Sequence, residues 1–234
     1  MGDISSKIQK FIEIFIDNRG YVKVVEGLKN TVIIAITGLI IGILIGTIIA
    51  TVRVIPKYKR LPRVLDAICS VYVGFFRGTP MVVQLLLFYY VLLPIVGGHM
   101  SGVQVSMLVF GLNSGAYISE SVRAGIESIP KGQIEAAYSL GIRPWNTMRY
   151  VVLPQAIKNI LPALGNEFVT IIKDSSLLQT IGVMELWNGA QTVATTTYLT
   201  LTPLLFAAFY YLIVTTAMTA LLKQMEQRLG EGRK

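Results

Sequence analysis

Ionisable and hydrogen-bonding side chains occur at only a few positions within the long apolar stretches of this chain. Glu167 is the most isolated of them, and it lies beside Asn166 and one helical turn before Thr170. A carboxylate within a membrane span costs about 2.5 kcal/mol or more to insert, so it is a candidate for a functional site. We expect this group to contact a cationic side chain or an α-amino group of a bound solute. Lys173 and Asp174 are expected to pair with each other in a polar kink.

A second polar group surrounds Arg77, which is followed by Thr79 and Gln84 in a stretch that also contains glycine and proline. Such residues within an apolar span indicate a broken helix beside a cavity. Two interpretations of Arg77 remain open. In one, these three residues line a solute pathway and Arg77 meets a carboxylate. In the other, Arg77 extends to the cytoplasmic interface or pairs with Asp66 or Asp174.

Small and polar side chains also dominate the second half of a third apolar stretch. Asn113, Ser114 and Tyr117 recur there at helical spacing. Ser114 and Tyr117 could hydrogen-bond a ligand, or they could bond a neighbouring helix, which is the commoner use of such residues between packed membrane helices.

The residues needed for covalent or metal chemistry are scarce. The chain has one histidine, His99, and one cysteine, Cys69, so neither a disulfide nor a cluster of such ligands for a metal can form within it. No phosphate-binding Gly-x-x-x-x-Gly-Lys-Ser/Thr motif is found in the sequence. We therefore expect no enzyme activity and no cofactor in this chain. It would supply a pathway and take energy from a partner.

The composition is that of an integral membrane protein. The 234 residues are 53% hydrophobic and only 15% charged, and the mean hydropathy is +0.61. The formal net charge is +8, and the basic residues stand beside apolar stretches. This placement indicates loops that face anionic lipid and the cytoplasm, and it argues against a nucleic-acid partner.

The apolar pattern predicts an all-α, polytopic fold with about five transmembrane helices. Each span needs about 20 mostly apolar residues. The predicted spans are 30–52, 64–96, 103–124, 159–184 and 200–222. The first carries glycine or alanine at every fourth position, which allows a neighbouring helix to approach closely.

The same pattern divides the chain into an N-terminal amphipathic segment, 1–29, a transmembrane domain, 30–225, and a tail, 226–234. Within the domain, a polar loop covers 120–158. The basic cluster 53–63 and the basic tail predict an N-terminus outside and a C-terminus in the cytoplasm.

The polar loop is predicted to contain a short helix with well-defined ends. Pro130 suits the first helical turn, where its missing N–H has no intrahelical partner. Gly141 can adopt the left-handed conformation that ends a helix, and Pro144 opens a further helix. Ile134, Ala137 and Tyr138 should share one face and present a partly apolar knob.

Two motifs carry a resemblance to a known family. Glu135-Ala136-Ala137, followed by Gly141 and by Val151-x-Leu153-Pro154, resembles the cytoplasmic loop signature of ABC-importer permeases. The family usually has isoleucine at the position of Val151. Phe76-Arg77-Gly78-Thr79-Pro80 and the following Gln84 resemble the polar amino-acid permeases of the histidine, glutamine and arginine type.

The resemblance implies a permease subunit in the inner membrane of a prokaryotic cell, which moves polar or basic L-amino acids by alternating access. It implies two copies of an ATPase subunit that bind ATP and magnesium, and an external substrate-binding protein. It also implies a second permease subunit, with a homodimer favoured over a heterodimer.

In this family the loop helix is a coupling helix that docks on the ATPase. The resemblance therefore assigns coupling to Pro130, Glu135, Ala136, Ala137 and Gly141. An ion-coupled secondary transporter is an alternative, but the sequence shows no internal repeat. A membrane scaffold subunit is the other alternative.

Overall fold

The computed structural model describes residues 4–17, 19–55, 57–197 and 201–230, and within these ranges all the regular elements are helices. The first four α-helices are α1 (Ile4–Ile16), α2 (Gly20–Val54), α3 (Arg60–Gly78) and α4 (Met81–Leu86). A π-helical segment (Leu87–Leu92) and α5 (Leu93–Ile95) continue α4. The polar loop lies between α6 (Gly102–Glu127) and α9 (Leu153–Asp174), and it contains α7 (Lys131–Ser139), α8 (Pro144–Thr147) and a second π-helical segment (Met148–Val152). A 3-10 helix (Ser175–Ile181), α10 (Leu186–Thr197) and α11 (Leu201–Gly230) complete the described chain.

The all-α membrane fold is confirmed. Among the described residues, α2 and α11 are each long and apolar enough to cross a membrane, and α3 with the helices that follow its break can form a third span. The third and fourth predicted spans correspond to α6 and α9, which are 26 and 22 residues long. Both α6 and α9 carry the polar residues named above, so they are less apolar than α2 and α11.

The amphipathic N-terminal segment differs from the prediction. Instead of one surface segment over 1–29, α1 ends at Ile16 and Arg19 takes a positive φ of 55°. The helix α2 then starts at Gly20, ten residues before the predicted first span, and runs for 35 residues. No glycine-proline break separates its polar first turns from its apolar part. The predicted tail 226–234 is also helical as far as Gly230, and residues 231–234 lie outside the described ranges.

The predicted helix break beside Arg77 is confirmed. The helix α3 ends at Gly78, and Thr79 and Pro80 take extended backbone conformations before α4 begins at Met81. The pyrrolidine ring of Pro80 fixes its φ and disfavours helical conformation in the residue before it. The Thr79 hydroxyl donates a hydrogen bond to the carbonyl of Phe75 at 2.8 Å, which closes the last turn of α3.

Both π-helical segments are followed by the dipeptide Leu-Pro. The Leu93 N–H donates to the carbonyl of Phe88, and the Leu153 N–H donates to the carbonyl of Met148. Pro94 and Pro154 come next and have no N–H to donate to the carbonyl four residues earlier. In the wider π turn, the N–H of the leucine before each proline bonds to the carbonyl five residues earlier. Such turns are common where a helix is locally perturbed.

The chain forms two compact units, and the first consists of residues 1–38, 80–110 and 169–218. Its buried polar centre is Glu185, which precedes α10 and has no exposed surface. The carboxylate accepts hydrogen bonds from the backbone N–H groups of Trp187 and Asn188 and from the Tyr211 hydroxyl. Burial raises the pKa of Glu185, while these hydrogen bonds act in the opposite direction. The carboxylate therefore caps α10 and fixes its start.

The second unit consists of residues 39–79, 111–168 and 219–234. Within it, α2 and α6 approach closely through small residues on both helices. A Cβ atom added at Gly46 would lie 2.8 Å from Ile118, and one added at Gly115 would lie 2.8 Å from Ile45. The predicted small-residue stripe of α2 is therefore a helix-packing surface.

We predict that Gly46→Ala destabilises the protein, because the new methyl group would also lie 3.0 Å from the carbonyl of Gly115. Overpacking of this kind costs about 1–3 kcal/mol, so the melting temperature in detergent should fall by roughly 5 °C. Gly74→Ala in α3 is the matched control, because nothing lies within 4 Å of its Cβ position. Equal melting temperatures for the two variants would contradict the close α2–α6 contact.

Candidate functional site

The hydroxyl of Ser114 and the carboxylate of Glu167 form the central contact of the candidate site. Ser114 lies on α6 and is 1% exposed, and its Oγ donates a hydrogen bond to Glu167 Oε1 at 2.6 Å. Glu167 lies on α9 and is partly exposed. The distance is at the short end of the range for a hydrogen bond between two side-chain oxygens. One oxygen of Glu167 is thus held by the protein, and the side chain reaches a partly open surface.

Arg77 and Tyr117 form a cation–aromatic contact in the second unit, to which Ser114 and Glu167 also belong. The guanidinium carbon of Arg77 is 5.3 Å from the centre of the Tyr117 ring, within the range of a cation–π interaction. Both side chains are exposed, and Tyr117 is three residues after Ser114 on α6. The Asn113 side chain donates to the carbonyl of Phe76 at 3.3 Å, which ties α6 to the last turn of α3.

The structure excludes one of the two ion pairs that the sequence suggests for Arg77, the pair with Asp66. Asp66, one of its two predicted partners, is instead paired with Lys57 at 2.6 Å and lies 3.7 Å from Arg53 Nε. No salt bridge between described residues includes Arg77. Its described partner is the Tyr117 ring, so the guanidinium is held in place while its charge faces the exposed surface.

The remaining predicted binding residues are divided between the two compact units. Asn166 and Thr79 belong to the second unit together with Arg77, Ser114, Tyr117 and Glu167. Thr170 and Gln84 belong to the first unit. Gln84 is buried, whereas Thr170 is exposed on the last turns of α9. Six of the eight predicted residues therefore lie in the second unit, where Ser114 contacts Glu167 and Arg77 contacts Tyr117.

The polar loop has the local structure that the sequence predicts, with one small shift. Pro130 lies one residue before α7, at its N-cap, and its carbonyl accepts a hydrogen bond from Gln133. Gly141 has a φ of +73°. The N–H of Ile142 donates to the carbonyl of Ala137 and that of Gly141 to Tyr138, which is a Schellman motif. We call residues 128–154 the coupling segment, after the role that the family resemblance implies for its helix.

Polar contacts fix the coupling segment to the start of α9. The Gln155 side-chain amide donates to the Gln133 side chain at 2.6 Å, and the Asn159 amide donates to the Ser128 hydroxyl at 2.9 Å. Just before the segment, a Cβ atom at Gly125 would lie 2.4 Å from Ile160, so the end of α6 touches α9 directly. The segment is therefore joined to both helices that flank it.

The outer surface of the coupling segment differs from the predicted knob. Ala137 is 5% exposed and faces inward, and Ile134 is half-buried, so these two residues are not part of the outer surface. Glu135 and Ala136 are exposed. The same segment exposes four large apolar side chains, with exposed fractions of 49% for Tyr138, 80% for Leu140, 71% for Trp145 and 67% for Tyr150. Exposed apolar side chains grouped in this way mark an interaction surface.

An ion network that the sequence did not reveal joins α2, α3 and α6 near the start of the polar loop. Arg53 of α2 forms a salt bridge with Glu120 of α6, and Glu120 also accepts from Arg123 at 2.6 Å. Arg53 also approaches Asp66 of α3, which bonds Lys57. The opposite charges are far apart in the sequence, and only the close approach of α2 and α6 brings them together.

The chain is similar in sequence to known membrane transport proteins. Residues 38–231 match the model described as binding-protein-dependent transport system inner membrane component. A putative glutamine transport system permease protein GlnP of Rickettsia felis is 39% identical over 167 residues, which cover 71% of this chain and 77% of that protein. The arginine transport system permease protein ArtQ of Bacillus subtilis is 38% identical over 162 residues, 69% of this chain and 74% of that protein.

Solved structures give the same fold over nearly the whole chain. A crystal structure of an amino acid ABC transporter with histidines matches with a TM-score of 0.82 and 36% identity, and the match covers 92% of this chain and 98% of that one. An inward-facing MetNI methionine ABC transporter matches with a TM-score of 0.68 and 20% identity, over 93% and 97% of the two chains. At this identity, the second match concerns the fold alone.

We predict that Gly141→Ala weakens the C-terminal end of α7, because an alanine at φ +73° costs about 1 kcal/mol or more. Hydrogen exchange of the amides at 140–142 should become roughly fivefold faster. Gly132→Ala is the matched control, because Gly132 lies in the same helix, its Cβ position is open and alanine favours the helix. Unchanged exchange in the Gly141 variant would contradict the Schellman motif.

Proposed function

The chain belongs to the family of binding-protein-dependent transport system inner membrane components, and we propose that it imports polar or basic L-amino acids as the permease subunit of an ATP-driven transporter. The relatives named for glutamine and arginine transport support this substrate class. This mechanism is supported by one observation, that the coupling segment and the Ser114–Glu167 contact lie on the same pair of helices. The helices α6 and α9 hold the coupling segment between them and also carry Ser114 and Glu167.

The proposed complex contains two copies of an ATPase subunit, an external substrate-binding protein and a second permease subunit, with a homodimer favoured. ATP and magnesium would be bound by the ATPase. The complex would lie in the inner membrane of a prokaryotic cell, with the N-terminus outside and the C-terminus in the cytoplasm. The exposed basic residues at the start of α3 and on the polar loop support this orientation.

The coupling segment would receive force from the ATPase through its exposed face. Glu135 and Ala136 would contact the ATPase directly, and Tyr138, Leu140 and Trp145 supply the apolar surface around them. Pro130, Ala137 and Gly141 would act differently. Pro130 and Gly141 set the two ends of α7, and the buried Ala137 fixes its inner face. A larger residue at Ala137 would lift the helix from its support.

Two polar bonds and one tight packing contact would carry the motion from the coupling segment into the membrane. Gln133–Gln155 and Ser128–Asn159 hold the segment on α9, and Gly125 packs against Ile160. Because α6 and α9 continue from these contacts to Ser114 and Glu167, a push on the segment would move both helices together. Alternating access would follow from this rigid displacement.

The substrate would be recognised by opposite charges within the second unit. We assign Glu167 to a cationic side chain or an α-amino group, and Arg77 to the substrate carboxylate. Ser114 holds one oxygen of Glu167, which orients the carboxylate. Tyr117, Thr79 and Asn166 are assigned to the wall of the pathway in this unit. Thr170 and Gln84, the other two residues that the sequence predicts to bind the substrate, belong to the first unit. An ion-coupled transporter would instead use Glu167 as a proton carrier and need no ATPase.

We predict that Glu167→Gln lowers the affinity for a basic amino acid in proteoliposomes by about 10- to 100-fold. A charged hydrogen bond contributes about 1.5–3 kcal/mol, and the amide keeps the shape of the side chain while removing its charge. Glu13→Gln, an exposed change in α1, is the matched control. Uptake is measured against concentration with the ATPase and the binding protein present. Normal uptake kinetics in the Glu167 variant would remove this residue from the site.

We predict that Glu135→Arg prevents the ATPase from co-purifying and reduces substrate-stimulated ATP hydrolysis at least tenfold, because it reverses the charge at the centre of the docking face. Glu13→Arg makes the same change of charge on an exposed side chain of α1 and should leave the complex intact. If the Glu135 variant assembles and hydrolyses ATP like the wild type, the coupling assignment is wrong. Uptake that continues without any ATPase would favour the ion-coupled mechanism.

A further inference from the structure

The basic residues between α2 and α3 fall into two groups. The loop and its flanks contain Arg53, Lys57, Lys59, Arg60 and Arg63. Arg53 and Lys57 are neutralised within the protein, because Arg53 pairs with Glu120 and Lys57 pairs with Asp66 at 2.6 Å. These two residues therefore belong to the ion network that joins the helices.

Lys59, Arg60 and Arg63 form the second group, which we call the basic triad. All three side chains are exposed, and none of them takes part in a salt bridge between described residues. Lys59 is the N-cap of α3, and the first turn of this helix contains no acidic residue. The start of a helix carries partial positive charge, so cations there are unfavourable unless an anion lies nearby. The triad thus has a charge that nothing described in this chain offsets.

The triad stands at the end of an exposed apolar stripe. Leu61, Val64, Ile68, Val71 and Phe75 recur every three or four residues along α3, and between 42% and 73% of each is exposed. At a rise of 1.5 Å per residue, the stripe is about 21 Å long, which is a large part of the hydrocarbon thickness of a bilayer. Tyr58, beside the triad, is 91% exposed. Tyrosine is typical of the level of the lipid headgroups.

We propose that the basic triad binds the phosphate groups of anionic phospholipids while the stripe of α3 contacts their acyl chains. Charge and position both favour this partner. The triad offers three cations next to an aromatic residue at one end of an apolar helix face, and an anionic lipid offers a phosphate next to a hydrocarbon chain. The proposal requires only that α3 lies in the membrane. It is independent of the substrate and of the direction of transport.

A second copy of this chain is a poorer occupant. In a two-fold symmetric contact the same surface meets itself, so a triad near the axis would face another triad with the same charge. The chain has 13 acidic and 21 basic residues, and Asp66, the acid nearest in sequence, is already paired with Lys57. An anionic lipid supplies the missing negative charge without these costs.

The test compares two double variants that each remove two exposed positive charges. Arg60→Gln/Arg63→Gln changes the triad, and Lys23→Gln/Lys29→Gln changes the other end of α2. Each chain is purified in detergent within its complex and titrated with phosphatidylglycerol or phosphatidylcholine, and bound lipids are counted by native mass spectrometry.

We expect the triad variant to bind phosphatidylglycerol at least about tenfold more weakly, since each basic residue contributes about fivefold. Binding of phosphatidylcholine should not change, and the Lys23/Lys29 variant should bind both lipids like the wild type.

Three results would overturn the proposal. The first is equal affinity of the wild type and the triad variant for phosphatidylglycerol, at matched melting temperatures that show both are folded. The second is competition by millimolar glycerol phosphate as effective as that by the lipid, which would indicate a site for free phosphate. The third is a cysteine cross-link between residue 64 and a second protein chain in lipid vesicles, which would show that protein covers the stripe.

Discussion

The hydrogen bond between Ser114 and Glu167 joins the two helices on which the rest of the mechanism depends. A carboxylate in a membrane span needs a partner, and a buried serine on the neighbouring helix supplies one. Ser114 can occupy its position because α2 has a glycine there, since a Cβ atom at Gly42 would lie 2.7 Å from the Ser114 side chain. The polar contact between α6 and α9 is therefore made possible by the small-residue contact between α2 and α6. A change in either contact would affect the other.

Polar groups elsewhere in the chain are satisfied over short distances, which reduces the cost of placing them in a membrane. Several Ser and Thr hydroxyls, such as those of Ser106, Ser121 and Thr215, bond a carbonyl one helical turn earlier. The two π-helical segments reroute backbone bonds just before Leu-Pro, and the ion network pairs charges from three helices. Each of these arrangements gives backbone or charged groups partners inside the protein, as a membrane requires. Helices with many polar residues can thus remain in the membrane.

The sequence predicted those features whose cause is local, and it missed those that depend on tertiary contacts. The helix break at Thr79–Pro80, the left-handed Gly141 and the helix that opens at Pro144 each follow from one or two residues, and the structure has all three. The inward orientation of Ala137 was not predicted. Periodicity shows which residues share a face, but contacts with other elements decide which face points inward, as the Gln133–Gln155 bond does here. The start of α2 was also missed, because hydropathy marks the apolar part of a helix and not its first polar turns.

The partner of a charged residue is the hardest feature to predict, and Arg53 shows why. In the sequence it is one of five basic residues in a loop that the positive-inside rule treats as equivalent. In the structure Arg53 is paired with Glu120, 67 positions away, because the glycines of α2 and α6 bring the two helices into contact. The same close packing that admits Ser114 therefore also selects which loop charges become internal. Basic residues of the loop that find no acidic partner in the protein stay exposed at the surface. The helix-packing glycines therefore indirectly determine where the surface is basic.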